Sequence, residues 1–71
     1  MNRIYTDSTM INSIAYDPTQ AILEVEFKSS GHIWNYYDVP EYVWYEMNSA
    51  SSIGEFFHAN IKGTYTESRV G

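Results

Sequence analysis

Residues Ala21–Phe27 alternate with a period of two, and this alternation limits the fold more than any other feature of the chain. Leu23, Val25 and Phe27 fall on one side; Ile22, Glu24, Glu26 and then Lys28 fall on the other. Such a pattern describes a half-buried antiparallel strand. A single amphipathic strand cannot bury its apolar side alone, so neighbours are required. Ile11–Tyr16 and His32–Tyr37 supply them, being rich in β-branched and aromatic residues. Asp17-Pro18-Thr19-Gln20 and Ser29-Ser30-Gly31 have the composition of the connecting turns.

After Tyr37 the period lengthens. Asp38-Val39-Pro40-Glu41 reads as a helix start, with Asp38 as N-cap, Glu41 at the reciprocal third position and Pro40 tolerated in the first turn. Val43, Met47 and Ala50 would share its buried face. Ser52-Ile53-Gly54-Glu55 repeats the capping-box spacing for a second helix. Ile53, Phe56, Phe57 and Ile61 form its apolar stripe, and Gly63 stands where a left-handed C-terminal cap would end it. The expected architecture is α+β: a three-stranded antiparallel meander followed by two short helices packed on one face. Residues 1–7 and 66–71 are polar and aperiodic, so they are expected to be a loose extension and a flexible tail around a domain at 8–65.

A chain of 71 residues allows one domain, and one this small buries only about 60 % of its unfolded surface. Large side chains must therefore carry the core, and 7 Tyr, 3 Phe and 2 Trp provide them. The absence of cysteine excludes disulfides, thiolate metal sites and cysteine nucleophiles, and favours a cytoplasmic setting. No stretch approaches the roughly 20 apolar residues of a membrane span. Met1–Asp7 has no apolar segment of the signal-peptide kind. The net charge of −5 argues for solubility and against a polyanionic partner. The four bases, Arg3, Lys28, Lys62 and Arg69, are scattered.

Two registers are open for the hairpin joining the second and third strands. A two-residue turn at Ser29-Ser30 pairs Val25 with Trp34 and sends Trp34 and Tyr36 into the core. A three-residue turn shifts the register by one and places both on the opposite face as a base-stacking platform. The core arrangement is expected, because so small a domain needs its large aromatics inside. The face left open would then carry Ile22, Glu24, Glu26, Lys28, Ile33, Asn35 and Tyr37. Of these, Ile22, Glu24, Glu26, Ile33, Asn35 and Tyr37 are the candidate partner-binding residues: an apolar centre within a charged rim. For a nucleic acid the candidates are Trp34 and Tyr36 with Lys28 and Lys62.

No catalytic constellation is visible. Glu24 and Glu26 could share a proton or a metal, but alternating acids on a strand ordinarily face water, and no third ligand sits at a suitable spacing. His32 and His58 belong to no motif, and capping accounts for Ser52. The N–H groups at Ser52-Ile53-Gly54 could receive an anion, in competition with Glu55. No catalytic, metal or cofactor site is therefore expected, and the chain reads as a non-enzyme.

Three pieces of the sequence together resemble the KTSC family. The first is Ile14-Ala15-Tyr16-Asp17 leading to Leu23, Val25, Phe27 and Gly31. The second is Trp34-Asn35-Tyr36-Tyr37-Asp38-Val39-Pro40. The third is Ser52-Ile53-Gly54 with Phe57, Ile61 and Tyr65. Trp34 stands where the family's central Tyr-x-Tyr begins, so a role needing two phenols is put in doubt. The resemblance implies a short domain found at the C-terminus of some lysyl-tRNA synthetases and as free-standing bacterial or phage proteins. It implies no activity. RNA binding is only an inference from the neighbouring tRNA-charging enzyme. The expected function is a small acidic protein-binding adaptor or inhibitor. The alternatives are RNA or single-stranded nucleic-acid binding through the sheet aromatics, and a homodimer formed through an edge strand.

Overall fold

The computed structural model describes all 71 residues. Five antiparallel strands lie side by side in the order of the sequence: β1 (Arg3–Tyr5), β2 (Ile11–Asp17), β3 (Ile22–Phe27), β4 (Ile33–Tyr36) and β5 (Glu67–Arg69). Between β4 and β5 the chain forms helix α1 (Glu41–Ser49) and helix α2 (Ile53–Phe56). A wider π-helical turn, Phe57–Ile61, continues α2 without a break.

The α+β class, the antiparallel sheet and the two helices agree with the sequence reading, but the sheet has five strands, not three. The extra strands are the chain ends. Residues 3–5 pair with β2 and residues 67–69 pair with β4, so neither the loose extension nor the flexible tail describes these segments. Three-residue strands are too short to show a period. Their order comes from ladder hydrogen bonds such as Thr6 N–H to the Asn12 carbonyl (3.0 Å) and Tyr37 N–H to the Thr66 carbonyl (2.9 Å).

The β3–β4 hairpin takes the core register: Val25 faces Trp34 and Leu23 faces Tyr36. Gly31 adopts the left-handed conformation (φ +72°), and its N–H donates to the Phe27 carbonyl. A side chain there would be strained, which is why glycine closes this turn. At the β2–β3 turn the Asp17 carboxylate accepts from the N–H groups of Thr19 (2.9 Å) and Gln20 (3.3 Å), an Asx arrangement.

The core lies between the sheet and the helices. Ile11, Ile14, Leu23, Val25, Val39, Met47, Phe57 and Ile61 are fully enclosed. α1 covers the β1–β2 half, where Trp44 stacks on Tyr16 with ring centroids 5.7 Å apart. The α2 segment covers the other half, where Phe57 meets Phe27 and Tyr36 edge-on, each at 5.4 Å. Ser52 caps α2 as expected, its hydroxyl accepting from Glu55 N–H at 3.2 Å. Gly63 is left-handed (φ +81°) just beyond the π-turn.

The start of α1 differs from expectation. The N-cap is Pro40, without a side-chain cap, and Asp38 lies in the left-handed region at φ +60°. The bend is anchored instead by the Val39 N–H, which donates to the Ala21 carbonyl (2.9 Å), and by Tyr16, whose hydroxyl donates to the Val39 carbonyl. These bonds hold the segment against the sheet and leave Asp38 facing solvent. Ala50 ends α1 and is only half-buried.

Candidate functional site

The face of the sheet away from the helices is not a bare surface. Ser13 and Ala15, on the central part of β2, are fully enclosed there. Their cover comes from side chains of the same face: Arg3 of β1 crosses to the Glu24 carboxylate and donates to the Ser13 hydroxyl (2.8 Å). Ser13 in turn donates to Glu26 (2.7 Å), which also accepts from the Asn12 amide (2.9 Å). These donors, Ser13 first and Asn12 second, hold the Glu26 carboxyl below the usual carboxylate range, with the Arg3 charge adding to the effect.

The six partner-binding candidates do occupy this face or its ends, but none is an exposed residue. Ile22, Glu24, Glu26, Ile33, Asn35 and Tyr37 are all half-buried. Glu24 and Glu26 are taken up by different donors. Gly71 packs against Ile33. The Asn35 amide oxygen is the one buried side-chain polar atom without a partner. No helix covers this face, as expected, but its acids are engaged by neighbouring side chains and not free. The cover depends on β1, whose three residues gave no sequence signal.

The nucleic-acid candidates lie on the helix side. Trp34 is half-buried and Tyr36 nearly enclosed, and together with Lys62 they line an open groove of about 400 Å³. Phe27, Phe57 and Met10 form its apolar part; Ser29, Ser30, His58 and Glu67 complete it. Lys28 is exposed in the adjoining turn and is not part of the lining. Burial, and then the neighbouring Glu67 carboxylate, raise the Tyr36 phenol well above its usual range. Its hydroxyl therefore stays neutral. The exposed His58 ring places Nε2 3.2 Å from the Met10 sulfur.

Exposed apolar and aromatic side chains at β1 and on α1 were missed by sequence reasoning. Met1, Ile4 and Tyr5 at β1 are 61 %, 42 % and 71 % exposed, and Tyr42 and Tyr45 on α1 are 63 % and 62 % exposed. Met1, Asn2 and Ile4 share an open pocket of about 410 Å³ with Tyr16, Pro18, Glu41 and Trp44. Tyr45 donates to the Glu41 carboxylate at 3.3 Å. α1 contains two glutamates and no base. The available signal was the tyrosine spacing: with Val43 and Met47 inward, Tyr42 and Tyr45 must lie on the outer face of the helix.

No three His, Asp or Glu side chains gather as a possible metal site. No helix is long and apolar enough to cross a membrane. The Ser52-Ile53-Gly54 turn is packed under Ser8 and Met10, and Asp7 lines the hollow beside it, an unfavourable neighbour for an anion.

The family model of the KTSC domain matches residues 7–65. The chain belongs to the KTSC domain family. The matched range leaves β1 and β5 outside it. An uncharacterized protein of Stutzerimonas stutzeri is 42 % identical over 87 % of this chain and 86 % of its own length. A lysine–tRNA ligase of Nostoc is 39 % identical over 83 % of this chain, which corresponds to 10 % of that enzyme. The crystal structure of a KTSC domain protein from Yersinia pestis superposes with a TM-score of 0.94 at 37 % identity, covering 99 % of this chain and 97 % of that one. The superposed range of this KTSC domain takes in both end strands.

Proposed function

We propose that this KTSC domain is a non-enzymatic, cytoplasmic protein-binding module, acting as an adaptor or inhibitor of bacterial or phage origin. The observation that carries this reading is the pair of exposed tyrosines, Tyr42 and Tyr45, on the outer face of α1. Tyr42 and Tyr45 stand on a helix without bases, and Glu41 of the same helix shares a pocket with Met1 and Ile4. Tyrosine combines a large contact area with a polar tip and is common among residues that dominate interface energies. The half-buried acids of the opposite face are committed to internal hydrogen bonds, so the contact surface is assigned to the outer face of α1 instead.

The test is affinity capture of the tagged protein from its native host, compared with a Tyr42→Ser/Tyr45→Ser variant. Both positions are exposed, so the variant keeps its fold. A protein captured by the native chain and lost from the variant supports the reading; equal recovery from both removes it.

The aromatic groove favours a second reading, single-stranded nucleic-acid binding. Trp34 is partly accessible beside Lys62, and two lysine–tRNA ligases are relatives over the same region. Base stacking on one indole is compatible with the geometry. The net charge of −5 opposes it. Oligonucleotide titration at low salt, read by Trp34 fluorescence in a Trp44→Phe background, decides this point: absence of quenching eliminates the groove as a base-binding site.

A further inference from the structure

Resting on the binding-module reading above, we infer that the free edge of β1 accepts an extended peptide segment as a sixth strand, and that the guest residue opposite Ile4 is a lysine or arginine. The backbone register decides which groups are available. Thr6 N–H donates to the Asn12 carbonyl, and Ile4 faces Ile14. In an antiparallel ladder the hydrogen-bonded pairs alternate, so Ile4 and Thr6 direct their N–H and C=O groups inward to β2. Arg3 and Tyr5 therefore direct theirs outward, to the open margin. That margin can take two pairs of backbone hydrogen bonds from an incoming strand.

The side chains define what that strand carries. Ile4 lies on the helix side of the sheet, so a guest residue facing it also points to the helix side, over the pocket shared by Ile4, Trp44 and Glu41. Ile4, Tyr16, Pro18 and Trp44 give this pocket an apolar and aromatic wall, Asn2 adds an amide, and its one charged side chain is the Glu41 carboxylate. A long aliphatic stem ending in a cation fits both parts: the stem covers Ile4 and the Trp44 ring, and the charge reaches Glu41. The cations nearby do not satisfy this carboxylate. Arg3 points to the other face, to Glu24, and the Met1 amino group makes no ion pair with Glu41. Tyr45 donates only to Oε2, which leaves Oε1 for the guest.

The experiment uses an acetylated, amidated nine-residue peptide of alternating Thr and Val with one central lysine, and the same peptide with central glutamate or norleucine. Binding is followed by backbone amide shifts of the intact protein. The lysine peptide is expected to bind about tenfold more tightly than the glutamate peptide, which corresponds to ~1.4 kcal/mol. Shift changes should concentrate at Arg3–Tyr5 and the Trp44 indole. Glu41→Gln should bring the ratio close to one. Tyr5→Pro should abolish binding of every peptide while leaving the fold intact, since the Tyr5 N–H is not used in the β1–β2 ladder.

Equal affinity for lysine and glutamate peptides overturns the basic-guest assignment. Undiminished binding to Tyr5→Pro, or shifts clustered at the Trp34 groove, overturns strand addition at β1. If no peptide binds while partner capture through Tyr42 and Tyr45 persists, strand addition falls and the module reading stands. If capture fails while the lysine peptide binds as described, the edge site stands without the tyrosine surface.

Discussion

Among single residues, Ser13 and Tyr16 show how a small sheet commits its polar groups. Ser13 is enclosed between Arg3 and Glu26, receiving from one and donating to the other. Ser13→Ala should lower stability by about 1–2 kcal/mol, because it leaves two partly buried groups short of a partner. Urea unfolding of the two proteins measures this. The pH dependence has a definite sign. The Glu26 pKa is lowered on folding, so its contribution is present above the unfolded value near 4.5 and is lost as pH falls through the lowered folded value. Thermal melts between pH 2 and 6 should therefore show an acid limb that becomes shallower in Glu26→Gln.

The tyrosines have the opposite sign. Tyr16, Tyr36 and Tyr65 are all raised, chiefly by burial, so each folded site favours the neutral phenol. Their contribution is complete below the unfolded value near 10 and disappears as pH rises towards the folded values. Absorbance titration should find a late-ionising group among the 7 tyrosines that appears together with alkaline unfolding. In Tyr36→Phe that group should be reduced.

Among elements, the α2 segment and its π-turn supply the ring at the centre of the core. Phe57 is 1 % exposed and meets both Phe27 and Tyr36. Phe57→Ala should cost about 3–5 kcal/mol, a large fraction of the stability of a domain this size. Phe57→Leu should retain the fold with a smaller loss, and denaturant midpoints separate the two. Much of this element was legible in the sequence. Ser52 as cap, Gly63 as terminator and the inward positions of Phe57 and Ile61 follow from local chemistry.

Other parts were not legible, for stated physical reasons. Asp38 has the residue type of a cap, but a tertiary bond from Val39 to Ala21 fixes the backbone otherwise. β5 is defined by β4, far away in the chain, and β1 by the neighbouring β2, and each contains three residues, fewer than a period needs to declare itself. The hairpin register was decided correctly by the need to bury Trp34 and Tyr36. The site was the least legible part: the acids that alternate so clearly on β3 are internal hydrogen-bond partners, and that depends on Arg3 and Ser13 arriving from other strands.

At the scale of the molecule, the five strands follow one another in sequence order, so the first and last strands are also the outermost. Removal of residues 66–71 should lower stability by roughly 2–4 kcal/mol. The deletion breaks the bonds from Tyr37 to Thr66 and from Val70 and Gly71 to Ile33, at about 0.5–1.5 kcal/mol each, and uncovers one side of β4. Circular dichroism melts of the shortened chain measure the loss.

The same order fixes how the protein opens. Amide protons of β1 and β5 should exchange with solvent first, and those of β3 last, at the free energy of global unfolding. Opening thus proceeds from both rims towards the middle. A rim strand can fray, or exchange its solvent contacts for those of another chain, while Leu23 and Val25 stay dry.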